Sequence, residues 1–164
     1  MPSAVYFSPQ GGCTDAIVKE LAAARILVLL AAYQFTSPAI LAALIACLDR
    51  GVKVRLVNDH QAASTPGWLG KQLAAAGGEV WIDGHHHIFH DKYLVLDGRL
   101  VVTGSFNFTV SAEKSNAENV LIVPLMRLAN DYRADWEKHR AHATPLAEAR
   151  LVLSAAYPMP PAED

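Results

Sequence analysis

The run from Ile26 to Tyr33, Ile-Leu-Val-Leu-Leu-Ala-Ala-Tyr, contains no charged residue, and it constrains the fold more than any other segment. It is far shorter than the ~20 residues that cross a bilayer, so it reads as a strand inside a protein. A strand that is apolar on both faces must be covered on both, which demands helices above and below a sheet. The neighbouring segments supply them. Ser37 followed by Pro38 is an N-cap with proline at the first helical position, and Ile40, Leu41, Leu44, Ile45 and Leu48 recur at helical spacing until Gly51. Upstream, Thr14 and Asp15 are the expected cap of a helix with Ile17, Val18 and Leu21 on its apolar side. A last helix is expected from near Pro124, its stripe of Leu125, Leu128, Tyr132 and Trp136 reading as core packing.

Strand-like segments alternate with these helices: Ala4 to Ser8, Val52 to Leu56 with period two, Glu79 to Ile82, Tyr93 to Leu96, Leu100 to Thr103, and Asn119 to Val123. Thr65 and Pro66 are expected to open one more helix, through Leu69 and Leu73 to Gly77. No repeat, low-complexity tract or long linker interrupts the pattern. The predicted fold is α/β, a single-domain mixed β-sheet flanked by helices on both faces, spanning 1–157 and followed by a loose tail over 158–164. A chain of 164 residues, 52% apolar, builds a sufficient core without staples. Cys13 and Cys47 therefore read as two small buried or half-buried thiols. No basic start followed by an apolar run opens the chain at Met1, so no signal peptide is expected. The compartment is cytoplasmic on that reading, or periplasmic or secreted if a leader was removed.

Net charge is −2 and no block of like charge occurs. A site for a polyanion would have to be a local concentration of cations and donors. Four of the seven histidines, His85, His86, His87 and His90, lie close together. No amphipathic helix with a basic face is visible, so no stable membrane association is expected. Asp97 and Gly98 between two apolar β runs signal a two-residue hairpin turn. With that turn, Leu96 faces Arg99, Lys92 faces Thr103 and His90 faces Ser105. His90, Lys92, Thr103 and Ser105 then emerge on one face, with Asn107 joining if the strand continues. Gly104 permits close approach of a ligand or a neighbouring backbone. Ammonium, amide and hydroxyl donors suit a phosphate, and an imidazole beside them can attack phosphorus or move protons near neutral pH.

His90-x-Lys92, then four residues to Asp97, then six to Gly104-Ser105-x-Asn107, resembles the signature of the phospholipase D superfamily. The surrounding text, together with Ser115-Asn-Ala-Glu-Asn119, Ala32-Tyr33-x-Phe35-Thr36-x-Pro38 and Arg50-Gly51-Val52-x-Val54, is most similar to the short bacterial Nuc-type endonucleases, and the likeness runs from about Ser8 to about Trp136. The resemblance implies a metal-independent phosphodiesterase with a phosphohistidine intermediate and no cofactor. His90 would be nucleophile in one subunit and general acid in the other, with Lys92, Ser105 and Asn107 holding the phosphate. Glu118 would accept a hydrogen bond from the far ring nitrogen of a histidine. Asp97, although part of the signature, is explained by the turn and is given a structural role, as is Gly104.

One copy of the motif implies a homodimer with a shared site, because in-line displacement needs an attacking group and an acid on opposite sides. The substrate reading is nucleic acid, DNA first and RNA second. A phospholipid phosphodiesterase of the same mechanism is the alternative, and a metal-dependent His-cluster hydrolase a more distant one. Successive side chains on a strand alternate in direction, so His85, His86 and His87 cannot all face one ion. They read as partly protonated donors lining the cleft, and no metal ligand is assigned. His139 and His142, on a polar helical stretch, read as solvated.

Overall fold

The apolar run becomes β2 (Leu27–Ala32), buried at every position after the first. It lies in the middle of an eight-stranded sheet within a computed structural model that describes residues 2–149. The other strands are β1 (Ala4–Phe7), β3 (Lys53–Asp59), β4 (Glu79–Asp83), β5 (Lys92–Leu96), β6 (Leu100–Gly104), β7 (Asn119–Val123) and β8 (Thr144–Pro145). Their order across the sheet is β1-β7-β6-β5-β2-β3-β4-β8. β2, β3 and β4 are mutually parallel, and every other neighbouring pair is antiparallel. The mixed sheet expected from the sequence is thus present. Domain limits and the tail beyond residue 149 lie outside the described residues.

Helices cover both faces. On one side α1 (Cys13–Ala23) and α2 (Pro38–Asp49) bring Ile17, Leu21, Ile40 and Leu44 against Val28, Leu30, Leu56, Leu94 and Leu96. The short helices α3 (His60–Ala63), α4 (Gly70–Ala75) and α5 (Val110–Lys114) contribute Ala63, Leu73 and Ala112 to the same layer. On the other side, alone among the helices of the described residues, α6 (Met126–His142) packs Ala129 and Trp136 over Leu29, Val57, Val95 and Val101. The buried Trp136 indole donates to the Leu30 carbonyl at 3.0 Å, which satisfies the one polar group that its burial would otherwise leave unpaired. Cys13 and Cys47 are buried free thiols. Among the described residues no helix is long and apolar enough to cross a membrane.

Three local expectations are corrected. Helix α1 is not capped by Thr14 or Asp15; the carboxylate of Glu113, from α5, accepts from the amides of Gly12 and Thr14 at 3.0 and 2.6 Å. Thr65 donates to the Ala62 carbonyl at 2.7 Å and so closes α3, while α4 begins only at Gly70. The hairpin register also differs by one residue. The turn forms as Asp-Gly dictates, with positive φ at Asp97 and Gly98 and the Arg99 amide bonded to the Leu96 carbonyl at 3.1 Å. The ladder, however, resumes with Leu96 opposite Leu100 and Tyr93 opposite Thr103. The expected register would have placed Arg99 on the face of Leu96, inside the α1/α2 layer; the observed one leaves Arg99 exposed and buries Leu100. Thr103 accordingly points with Tyr93 toward α6, where it accepts from the Tyr132 hydroxyl at 3.4 Å, and it leaves the set proposed around Lys92.

Candidate active site

His90 and Lys92 enter from the start of β5, beside the end of β2. Ala32 pairs with Lys92, and the Tyr33 amide donates to the Asp91 carbonyl at 3.1 Å. This continuation of the ladder puts the Tyr33 ring under both side chains. The His90 ring lies 4.9 Å from it, and the Lys92 ammonium sits 5.4 Å from its centroid. Lys92 Nζ also donates to the His90 carbonyl at 2.5 Å. Buried Asp59, at the end of β3, caps α3 through the Ala62 amide and accepts from the Phe89 amide at 2.9 Å. Phe89 is itself buried. The residue before His90 is therefore fixed by backbone and side chain alike, while the His90 ring is left exposed.

A second limb comes from β6 and β7. Gly104 has φ of 153°, and a Cβ there would lie 2.1 Å from the Asn119 carbonyl oxygen. The close approach is to a neighbouring backbone, and only glycine allows it. That approach sets Ser105 against Glu118: the Ser105 hydroxyl donates to Glu118 Oε2 and accepts from the Asn119 amide at 3.2 Å. Asn116 donates to Glu118 Oε1 at 3.3 Å, and the Glu118 amide donates to Ser8 Oγ at 3.2 Å. Within one chain no histidine ring among the described residues bonds Glu118, whose two carboxylate oxygens accept from Ser105 and Asn116. Asn107 lies in the segment whose next residue, Phe108, accepts from the Thr36 and Ser37 amides at 3.0 and 2.9 Å. Its side-chain oxygen is buried and has no hydrogen-bond partner among the described residues, an unsatisfied group of the kind that recurs at functional sites.

Lys92 is only 9% exposed. Burial pushes its ammonium pKa down, while the negative charges of Asp91 and Glu118 pull it back up. A desolvated cation is a stronger attractor of phosphate than a solvated one. Asp97 lies away from this group, beneath the hairpin. Its carboxylate accepts from the amides of Arg25, Ile26 and Leu27 at 2.8 to 3.2 Å. Burial acts to raise its pKa, but these amide hydrogen bonds and Arg99 outweigh it and hold the carboxyl below its usual range.

Residues 17–140 match the family model described as cardiolipin synthase, PLD-like domain. The chain belongs to the phospholipase D superfamily. A phospholipase D from Rickettsia prowazekii is 39% identical over 130 residues, covering 79% of this chain and 63% of that protein. Mitochondrial cardiolipin hydrolase from Xenopus laevis is 36% identical over 122 residues, 74% of this chain and 58% of that one. The chain thus spans a little under two thirds of these relatives. The crystal structure of the phospholipase D family member Nuc from Salmonella typhimurium superposes with a TM-score of 0.84 at 31% identity, covering 88% of this chain and 97% of that one. The residues that resemble the phospholipase D signature lie on two limbs, His90 and Lys92 on one and Ser105 and Asn107 on the other.

Three things were not anticipated from the sequence. Tyr33 is the aromatic floor of the site, and Ser8 and Asn116 brace Glu118. Tyr33 had a signal, being the first side chain with a polar tip at the end of the apolar run; Ser8 had none. Third, the remaining histidines are placed differently. His85 and His86 turn toward α6 instead of lining the motif; His139 is half-buried against them, not solvated, while His142 is exposed as expected yet has its ring on Asp83 at 2.9 Å. The cause is Asp83 at the end of β4, whose side chain is fully buried. Burial acts to raise its pKa, yet the His86 amide and the rings of His142 and His86 outweigh that and hold the carboxyl below its ordinary value.

Proposed function

We propose that this protein is a metal-independent phosphodiesterase, acting as an endonuclease of broad specificity on DNA and secondarily on RNA, through a phosphohistidine intermediate. The observation that carries the reading is the buried Lys92 ammonium beside the exposed His90 imidazole on one aromatic floor. A His90 ring nitrogen attacks phosphorus as the bond to the leaving oxygen breaks, and a second histidine protonates that oxygen. Water then attacks the phosphohistidine, giving its proton to that second histidine, and His90 is regenerated. Lys92 and Asn107 hold the non-bridging oxygens, joined by Ser105 once its hydroxyl turns from Glu118 to the phosphate, and together they offset the charge that develops there, the part a divalent ion plays in other phosphodiesterases. Glu118 acts behind them, through the Ser105 hydroxyl.

Nuc, a phospholipase D family member whose structure the chain covers almost end to end, supports the reading of a small enzyme of that family. A second reading, hydrolysis of a phospholipid diester by the same steps, is favoured by the names of the relatives, phospholipase D and cardiolipin hydrolase. A supercoiled-plasmid nicking assay run beside phosphatidylcholine and cardiolipin vesicles, both after brief treatment with EDTA, separates them. Nicking that survives chelation, with no release of lipid headgroup, is the expected result. Turnover of lipid alone would favour the second reading, and activity restored only by added zinc or magnesium in a chain that stayed folded would overturn the phosphohistidine mechanism.

A further inference from the structure

The histidines that the motif does not use are gathered, with Asp83, in one place under α6. One ligand atom from each of Asp83, His86, His139 and His142 lies within 4.8 Å of all the others. Asp83 Oδ2 is 2.9 Å from His142 Nε2, 3.0 Å from His86 Nδ1 and 4.0 Å from His139 Nδ1. Asp83 Oδ1 meanwhile accepts from the backbone amides of His85 and His86 at 3.0 and 3.1 Å, which fixes the carboxylate with Oδ2 toward the rings. His139 supplies an independent sign. Its Nδ1 is buried with no hydrogen-bond partner among the described residues, whereas its Nε2 is 3.3 Å from the Asp135 carboxylate, which is itself held by the Tyr93 hydroxyl at 3.1 Å. A carboxylate behind one ring nitrogen, with the other nitrogen pointing inward and unsatisfied, is the arrangement that orients an imidazole toward a metal.

We propose that Asp83, His86, His139 and His142 form a structural site for a divalent transition ion of the zinc class. Three imidazoles and one carboxylate match the ligand preference of zinc and its neighbours and disfavour magnesium and calcium, which take oxygen ligands. Tetrahedral zinc with bonds of about 2.0–2.2 Å puts its ligand atoms about 3.3 Å apart; Asp83 Oδ2 already lies 2.9 and 3.0 Å from His142 and His86, and the wider gaps, up to 4.8 Å, must close by rotation of the side chains. Four protein ligands leave no open position, which makes the site structural and not catalytic. The ion would tie the end of β4, the loop that precedes His90, and the last turn of α6 into one unit. This inference stands apart from the phosphodiesterase reading, since it uses none of that site's residues.

The test is zinc binding by the intact folded chain, near neutral pH, by calorimetry and metal analysis, with cobalt substitution to read the coordination by visible absorption. One ion per chain, a tetrahedral cobalt spectrum and a melting temperature raised by roughly 5 °C or more at saturating zinc are expected. His142→Ala, at an exposed position, and His139→Ala should each weaken zinc binding roughly 100-fold, and Asp135→Asn about 10-fold with the cobalt spectrum retained. His87→Ala should bind as the unaltered chain does. Two results would overturn the proposal: no binding by the folded chain at roughly 100 µM zinc, or binding unchanged in His142→Ala and lost in His87→Ala, which would assign the ion to the exposed histidine run. Should His139→Ala not fold, His142→Ala and the cobalt spectrum decide the matter.

Discussion

His90 and Lys92 share the Tyr33 ring yet stand in different surroundings, one exposed and one buried, and their losses should be distinguishable. His90→Ala is expected to remove essentially all turnover with little change in stability, because an exposed ring contributes little burial. Lys92→Ala should remove turnover and also weaken inhibition by inorganic phosphate, which His90→Ala should leave nearly intact; steady-state inhibition and binding measurements check both. Asp97 makes the contrasting case. Asn tolerates its positive φ of 52°, so Asp97→Asn isolates the carboxylate, which accepts from three backbone amides. A stability loss of about 1–2 kcal/mol is expected, with activity least affected of the three variants. The folded-state pKa of Asp97 is depressed, so its contribution is fully present above the unfolded value of about 3.9 and is lost as pH falls through the folded value. The stability gap between the two chains in denaturant melts should therefore be full at neutral pH and close in acid. An Asp97→Asn chain as inactive as His90→Ala but as stable as the parent would show that the carboxylate acts in the chemistry.

At the scale of elements, the connections matter more than the helices and strands they join. Helix α1 begins at a glycine with no side-chain cap of its own, and a glutamate about one hundred residues away in sequence takes its place. Glu113→Ala is accordingly expected to cost about 1 kcal/mol, whereas Thr14→Ala should stay within about 0.5 kcal/mol, measured by urea unfolding. Equal costs would return the cap to Thr14. The same contact ties α5, which follows Asn107, to the segment after β1, and so braces the second limb of the site. The hairpin shows how little it takes to redirect a side chain. One residue more in the connection moves Thr103 to the α6 face and leaves Lys92 on the other.

For the whole molecule, the outstanding quantity is the number of histidines that an in-line displacement requires. The sequence contains a single His-x-Lys. The two histidines of α6 that could have served as acid are engaged with Asp83 and its neighbours. We propose that two chains meet about a two-fold axis with both copies of His90 in one site, an isologous arrangement. It also brings two Lys92 ammonium groups to a substrate that a chain of net charge −2 would not otherwise attract. Refolding the parent chain with His90→Ala at varied ratios should give activity that falls as the square of the parent fraction, because mixed dimers lack one of the two histidines. A linear fall, or activity in a species that sediments as a monomer, would refute the shared site.

What the sequence determined by itself was the set of local facts that carry their own geometry. The apolar run made a doubly covered strand, Ser37 with Pro38 began α2, and Asp97 with Gly98 turned the hairpin, because each is settled by residues within a few positions of one another. The spacing of His90, Lys92, Ser105 and Asn107 likewise marked a candidate site, because its resemblance to a known signature lies in the order and spacing of residues and not in the hairpin's register. Tertiary structure decided everything that depends on residues distant in the chain. The register of β5 and β6 was chosen by where Leu100 and Arg99 could be buried or solvated, and the cap of α1 by where α5 happens to pack. The fate of His86, His139 and His142 was set by the burial of Asp83 beneath α6. A buried carboxylate must collect partners, and which partners reach it is a property of the packed sheet and helix that no short stretch of sequence contains.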